Sequence, residues 1–219
     1  MHRTHLPLTK WFWAIYLMAN DKRGISAVQL SAILEICYES AWTLLTKLRS
    51  AMGQRDAHYV LTGLVEMDDG FLGGPKRGEK RGRGSKRTKM IVALAKNKDD
   101  HPLFMRMQIA ENMKAATLQK FTGSFLAEGT DVECDNYISY RNLQGVKCMP
   151  KNYSAVDGDL KWLHRAISNL KTFLKGTYHG RCTNQQAYLD EFCFRFNRRM
   201  RKNELFIRLV RAVATSIVC

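Results

Sequence analysis

The chain has 219 residues, and its 35 Lys and Arg outnumber 20 Asp and Glu, which gives a formal net charge of +15. A hydrophobic content of 45% and a charged content of 25% are typical of a folded globular protein and exclude an intrinsically disordered chain. The longest apolar run, Trp11 to Ala19, is about half of the roughly 18 residues that a membrane helix needs. The first residues show no signal peptide, so we expect a cytoplasmic protein without a membrane partner. The positive excess favours polyanionic partners, because each neutralised phosphate releases bound counterions.

The N-terminal part of the chain has the apolar spacing of short helices. This spacing recurs over residues 8–19, 28–34 and 41–52. Ser26 and Ser40 are placed to cap the second and third of these helices. Two short helices joined by a tight turn, with Lys47 and Arg49 on the second, are typical of a helix-turn-helix. We predict an all-helical helix-turn-helix DNA-binding domain over residues 1–56; the alternative is a helical cap packed on a core.

After residue 60 the apolar pattern becomes that of a mixed α/β domain. Short apolar runs predict strands at 61–67, 90–95, 103–109, 131–134 and 146–149. Helical spacing follows at 114–126, about 160–175 and 184–201. This order of elements predicts a mixed α/β fold over residues 60–205, although strand order is not readable from the pattern. Residues 206–219 are predicted to form a C-terminal tail.

A basic segment separates the first two predicted strands. Residues 75–89 hold eight Lys or Arg and one Glu among interspersed glycines, which is too polar for a core and predicts a loop. Contacts of such a loop with DNA phosphates position a protein without choosing sequence. The predicted DNA-contacting residues are Lys76, Arg77, Lys80, Arg81, Arg83, Lys86 and Arg87. The alternative is a charged loop that is merely solvated.

Two carboxylates stand where predicted strands end. Asp68 follows the strand 61–67, and Asp135 follows the strand 131–134. If these strands are parallel neighbours, both carboxylates meet at one edge of the sheet. Two hard oxygen donors favour Mg²⁺ or Mn²⁺ over zinc or copper, and two-metal phosphoryl transfer needs such a pair. The alternative for each Asp alone is a turn residue.

Several segments, in order, resemble motifs of bacterial insertion-sequence transposases of the DDE superfamily. The stretch Val65-Glu66-Met67-Asp68-Asp69-Gly70-Phe71-Leu72-Gly73-Gly74 resembles the first catalytic motif, which the ISXO-type branch typically writes V-E-x-D-E-x-x-x-G-G. Residues 135–140 resemble the second motif, and residues 164–171 with 176–180 resemble the third. Residues 188–199 are similar to the closing helix, and residues 4–8 with Trp11-Phe12 to the start of the helix-turn-helix region. The resemblance spans nearly the whole chain.

The resemblance implies an RNase H-like catalytic core that cuts the 3′ strands at the ends of a mobile element and joins them to target DNA. Asp68 and Asp135 would hold Mg²⁺ or Mn²⁺, and the protein would act as a homo-oligomer on double-stranded DNA, associated with the nucleoid when bound. Most relatives carry Glu at the third metal position, but Asn169 stands there, as in some members of the branch. An amide oxygen can ligate Mg²⁺ without adding charge; the alternative is that Asn169 faces solvent. Lys175 matches the downstream lysine of those members and would contact a phosphate near the scissile bond, or else solvent.

The sequence also allows other site residues and two other functions. Glu191 and Glu204 are alternative third acids, and Glu66 is a further candidate ligand. Asp69 is expected to support the site indirectly or to have a structural role. His164 would position the attacking group, contact DNA or be structural. The chain could also be an RNase H-like nuclease that cuts without joining, or a catalytically silent DNA-binding protein derived from a transposase. Intact terminal repeats beside the gene would favour the active element.

Overall fold

The computed structural model describes residues 4–74, 78, 82–151, 160–179 and 183–216. Its helices are α1 (Leu8–Asn20), α2 (Ala27–Leu34), α3 (Tyr38–Asp56), α4 (Ala115–Phe125), α5 (Lys161–Tyr178), α6 (Gln185–Phe196) and α7 (Leu205–Thr215). Its strands are β1 (Leu64–Leu72), β2 (Thr88–Lys96), β3 (Pro102–Ala110), β4 (Thr130–Asp135) and β5 (Val146–Lys151). None of the helices in the described part of the chain has both the length and the apolarity of a membrane span.

The chain forms two compact units, which divide it differently from the predicted domains. The helical unit comprises Met1–His58 and Thr172–Cys219, and the sheet unit comprises Tyr59–Lys171. Residues 172–205, which the apolar pattern assigned to the α/β domain, therefore group with the N-terminal helices. The apolar pattern correctly predicts helix in this segment. Which hydrophobic core the helix joins depends instead on contacts between residues distant in sequence.

The helical unit is built on amphipathic helices that share one core. Buried apolar residues of α1, α2, α3, α6 and α7 form a single cluster that includes Trp11, Ile15, Leu30, Leu44, Leu48, Phe194 and Leu209. Residues 206–219 were predicted as a tail, but α7 begins at Leu205 and buries Leu205, Leu209, Ala212 and Val213. These positions recur every three to four residues, which is the spacing of one helix face.

One of the two predicted serine caps is confirmed and the other is wrong. The Ser26 hydroxyl accepts a hydrogen bond from Gln29 N at the start of α2. Ser40, in contrast, lies inside α3, because that helix begins at Tyr38 after the N-cap residue Cys37. Position 37 lacks a side chain typical of a cap, so the helix start was not evident from sequence.

We expect Gly24→Ala to destabilise the helical unit by more than about 1 kcal/mol, because φ is +78° at Gly24 and a side chain there is strained. A Cβ at this position would also collide with the Tyr178 hydroxyl. Gly63→Ala, in the sheet unit, is the control for backbone strain alone, since Gly63 has φ +80° but nothing within 4 Å of the added Cβ. Urea unfolding followed by circular dichroism measures both losses. Equal losses would show that the close approach of Tyr178 contributes nothing.

The sheet unit contains one five-stranded mixed sheet of order β3-β2-β1-β4-β5, which confirms the mixed α/β class. β2 is antiparallel to β1 and to β3, whereas β4 is parallel to β1 and to β5. Val65 and Met67 lie in the cluster that α4 covers with Leu118 and Phe121. The alternate residue Glu66 faces the start of α5, where it accepts a hydrogen bond from Leu163 N at 3.0 Å.

The position of Asp68 in its strand differs from the prediction. β1 continues to Leu72 through its antiparallel pairing with β2, so Asp68 lies inside the strand rather than at its end. The parallel pairing with β4, however, stops at Met67 opposite Cys134. Asp68 is therefore the first β1 residue beyond the paired part of β4, and Asp135 is the last residue of β4.

Candidate metal centre

Three aspartates meet where β1 and β4 stop pairing. One carboxylate oxygen from each of Asp68, Asp69 and Asp135 can be chosen so that all three lie within 4.8 Å of one another. The register Met67 opposite Cys134 places Asp68 beside Asp135, as the argument from parallel strands predicts. We call these three residues the acidic cluster.

Asp69 belongs to the acidic cluster, although its position suggested a structural role on the opposite face of the strand. Alternation does direct successive side chains to opposite faces, but beyond Met67 no paired residue of β4 separates those faces. The pKa of Asp69 is raised above its usual 3.8, because burial and the charge of Asp68 together outweigh the effect of Arg83. The third carboxylate thus joins the cluster just beyond the last β1–β4 pair.

Backbone amides fix two of the three carboxylates. Asp69 N donates to Asp68 Oδ1 at 2.7 Å, and Tyr137 N donates to Asp135 Oδ1 at 3.3 Å. Both bonds are local, because the donors lie one and two residues after the acceptors. The local backbone therefore helps to fix the orientation of both carboxylates.

Arg83 lies within the acidic cluster. Its Nη2 contacts Asp69 Oδ1 and Asp135 Oδ2, and its guanidinium carbon is 3.9 Å from the centre of the Tyr137 ring. Partial burial alone would lower the pKa of Arg83, but the hydrogen bond to Asp135 and the charges of both aspartates raise it. The basic segment thus places the positively charged guanidinium of Arg83 against the acidic cluster.

His164, on the first turn of α5, contacts the cluster from the other side. Its Nε2 lies 3.4 Å from Asp68 Oδ2. The hydrogen bond to Asp68 raises the pKa of His164 above its usual 6.5, while partial burial and the positive charge of Lys171 lower it. The contact joins residues 96 positions apart, which no local sequence pattern specifies.

These side chains surround a cavity of about 470 Å³. It is lined by Asp68, Asp69, Phe71, Gly82, Arg83, Asp135, Leu160 and His164. Asn169 is exposed on α5 and is not among the lining residues, so its role as a ligand stays a prediction. Lys175 is also exposed and belongs to the helical unit, and its role stays a prediction too.

The donor set of the cavity fits a hard divalent cation. Three carboxylates within ligand distance of one another are oxygen donors of the kind that Mg²⁺ and Mn²⁺ prefer. Tyr140, in the short 3₁₀ helix after Asp135, also has a buried hydroxyl with no hydrogen-bond partner among the described residues. Buried polar atoms are rarely left unpaired, but Tyr140 does not line the cavity, so its hydroxyl is not counted among the donors of the site.

Comparison with protein families identifies the chain. Residues 60–197 match the sequence model of the ISXO2-like transposase domain, a DDE transposase. The chain belongs to this transposase family. No curated protein matches it.

Among solved structures, the transposase chain is similar to the Mos1 transposase, but only distantly. A Mos1 paired-end complex with the left transposon end is 12% identical, with 98% of this chain and 81% of that chain covered and a TM-score of 0.29. The Mos1 catalytic domain with raltegravir and Mg is 14% identical, with 78% and 94% covered and a TM-score of 0.29. Likenesses this weak carry no argument, so the family assignment rests on the sequence match alone.

Glu66, an alternative ligand, has a different task in this transposase domain. Lys96 Nζ lies 3.0 Å from Glu66 Oε1, 2.9 Å from Glu133 Oε2 and 2.8 Å from Asp100 Oδ1. Glu66 and Glu133 stand opposite each other in the β1–β4 register, two residues before Asp68 and Asp135. The lysine therefore offsets part of the negative charge of Glu66 and Glu133 and links β1 to β4.

Two of the residues of the helical unit that were predicted as ligands or DNA contacts are buried. Arg49 is only 3% exposed, and its Nε donates to Glu191 Oε2 at 2.8 Å, so the structure places it in a core ion pair and not at a DNA surface. Glu191 is fully buried between Arg49 and Arg195, which excludes it from the acidic cluster. Lys47 on α3 is half-buried.

The described part of the basic segment includes three of its predicted DNA contacts. Lys86 is exposed, Arg83 and Arg87 are half-buried, and the Arg87 guanidinium lies 4.9 Å from the centre of the Phe71 ring. The other four, Lys76, Arg77, Lys80 and Arg81, lie outside the described residues.

Proposed function

We propose that this chain is an active DNA transposase that cleaves the ends of its own mobile element and joins them to target DNA. The observation that carries the proposal is the acidic cluster, which lies inside the matched transposase domain. The strand order β3-β2-β1-β4-β5, with β2 antiparallel and β4 parallel to β1, supports an RNase H-like core. The acidic cluster lies on the neighbouring parallel strands β1 and β4 of this sheet.

Asp68, Asp69 and Asp135 would hold Mg²⁺ or Mn²⁺ in this core. When bound, such ions would supply Lewis-acid stabilisation of the negative charge on the reacting phosphate and would activate a water or hydroxyl as the nucleophile. The protein's own contribution is positional, because backbone amides orient Asp68 and Asp135. His164 positions Asp68 through its Nε2, and Phe71 and Leu160 form an apolar part of the cavity wall that limits water around the reacting phosphate.

The geometry favours His164 over Asn169 as the side chain of α5 that completes the site. We expect His164→Ala to reduce strand cleavage at least about 100-fold, because Asp68 loses its positioning partner. Asn169→Ala, on the same helix but exposed, should retain activity within about fivefold. Cleavage of a labelled element end measures both. If Asn169→Ala is the more damaging change, the ligand role implied by the resemblance is correct and the preference for His164 is wrong.

DNA binding is proposed to involve both units. In the helical unit, α2 and α3 are joined by the three residues 35–37, and Glu35 has φ +50°, which is the tight turn that a helix-turn-helix needs. In the sheet unit, Lys86 and Arg87 follow Arg83, a residue of the cavity wall, by three and four positions in the sequence. A homo-oligomer on DNA is proposed because the two ends of an element must be cut and joined together.

Incubation of the protein with labelled DNA of its own flanking ends, a target plasmid and Mg²⁺ or Mn²⁺ tests the function. The proposal predicts 3′-strand nicks followed by joining to the plasmid, and neither product in EDTA. Nicks without joined products would favour the RNase H-like nuclease. Binding of the ends without any nick would favour the silent DNA-binding protein, and would show that the proposal is wrong.

A further inference from the structure

The guanidinium of Arg83 contacts two of the three carboxylates that would ligate a metal ion. Nη2 lies against Asp69 Oδ1 and Asp135 Oδ2 together, while the ring of Tyr137 stacks on the guanidinium plane at 3.9 Å. A planar group held by two carboxylates and an aromatic face has a defined orientation. Arg83 is thus a fixed part of the cluster, not a solvated side chain of the basic segment.

The burial and hydrogen bonding of Arg83 indicate which interactions hold its side chain in the cavity. Its Nε is buried and has no hydrogen-bond partner among the residues that the structure describes, and a buried N–H without a partner is unfavourable. Its side chain is 32% exposed, so solvent does not fully screen its charge. The two carboxylates therefore provide the main attraction that places Arg83 inside the cavity.

We propose that Arg83 is an internal counter-cation that competes with the catalytic metal ion for Asp69 and Asp135. This proposal rests on the proposed function, because it takes the acidic cluster as the metal site. Two cations that share the same oxygens lie a few ångströms apart and repel strongly at low dielectric. Metal binding therefore requires Arg83 to leave at least one carboxylate, and Arg83 lowers the affinity of the free protein for the ion.

Displacement of Arg83 from the carboxylates would make it available to bind DNA. A guanidinium released from carboxylates at the wall of the cavity presents a fork of N–H donors, which matches the oxygens of a phosphodiester. DNA that binds Arg83 would remove the competitor and so increase the affinity for the metal ion. The metal site would then fill readily only on a DNA-bound protein, which limits cleavage away from the element ends.

The Mn²⁺ affinity of the full chain without DNA, measured by electron paramagnetic resonance of the free ion, tests the competition. Arg83→Gln should lower the dissociation constant at least about tenfold, and Arg83→Lys, which keeps the charge but loses the fork, about threefold. Arg87→Gln is the matched control, because it removes the same charge from the same segment. Arg87 bonds Ser85 Oγ at 3.0 Å and stacks on Phe71, so its loss should change the constant less than threefold.

The outcomes separate this proposal from the proposed function. If the wild type binds Mn²⁺ and Arg83→Gln has the same or a weaker affinity, or if Arg87→Gln tightens binding equally, the competition is wrong while the metal site stands. If no variant binds Mn²⁺ at millimolar concentrations, the metal site of the proposed function is wrong and the competition with it. Thermal unfolding gives a second readout: in EDTA, Arg83→Gln should unfold at a lower temperature than the wild type, and saturating Mn²⁺ should raise its midpoint by more. If Arg83→Gln does not fold, Arg83→Lys replaces it in the test: Mn²⁺ binding tighter than that of the wild type supports the competition, and equal or weaker binding contradicts it.

Discussion

Replacing Asp135 by Asn is expected to reduce strand cleavage by at least about 10³-fold, with little change in DNA binding. The substitution keeps the size of the side chain and the oxygen that accepts from Tyr137 N, but it removes one charge from the acidic cluster. Lewis-acid stabilisation contributes several kcal/mol to the transition state, and each 1.4 kcal/mol corresponds to about tenfold in rate. The loss should therefore appear in the rate of nicking and not in the affinity for element ends.

Asp131→Asn is the matched control for this prediction. Asp131 lies on the same strand and the same face as Asp135, four residues earlier, and it is exposed. The change removes one negative charge of the same type at a position that does not line the cavity. Nicking of a labelled end at saturating DNA should be close to the wild-type rate for Asp131→Asn. Equal losses for the two variants would show that net charge matters here and that the acidic cluster does not.

Replacing Glu191 by Gln is expected to destabilise the helical unit by about 3–5 kcal/mol, the loss typical of a buried ion pair that loses one partner. Glu191 is fully buried and binds Arg49 Nε at 2.8 Å and Arg195 Nη2 at 2.9 Å. An amide of the same shape leaves both guanidinium groups without a counter-charge. Urea unfolding followed by circular dichroism at neutral pH measures the change.

Glu204→Gln is the control, because Glu204 also binds an arginine, Arg208, but at the surface. Exposed ion pairs contribute little, so this variant should unfold at nearly the same urea concentration as the wild type. A small effect of Glu191→Gln would mean that the interior of the helical unit readily hydrates the two arginines. Such a result would contradict the buried network as a source of stability.

The same pair of arginines makes the stability of the helical unit depend on pH. Burial alone would raise the pKa of Glu191, but the charges and hydrogen bonds of Arg195 and Arg49 lower it below its usual 4.5. A carboxyl whose pKa is lower in the folded state stabilises that state above pH 4.5 and loses this contribution as the pH falls towards the folded pKa. The difference in unfolding free energy between wild type and Glu191→Gln should therefore be constant near neutral pH and shrink as the pH is lowered below 4.5.

The elements of secondary structure were predictable because their signals are local. Apolar residues every three to four positions predicted α1, α2 and α4, and a Ser26 hydroxyl placed before α2 caps it as expected. Extended apolar runs predicted all five strands, four of them within two residues of their bounds, whereas β1 starts three and ends five residues later than predicted. α7 was missed, although Leu205 and Leu209 have helical spacing, because a short C-terminal segment offers no long repeat to read.

The sequence by itself also predicted that Asp68 and Asp135 meet at one edge of the sheet, because each follows an apolar run that predicts a strand. Only the tertiary structure decided which other side chains join them. Asp69 depends on where the β1–β4 pairing stops, His164 on how α5 is rotated against the sheet, and Arg83 on the return of a basic segment to the carboxylates. The burial of Arg49 depends likewise on the packing of α6 against α3. Although Asp68 and Asp69 are neighbours in sequence, the contacts with Asp135, His164 and Arg83 and the Arg49–Glu191 pair link residues far apart in the chain. Their energy comes from charge and packing that exist only after the strands and helices have assembled.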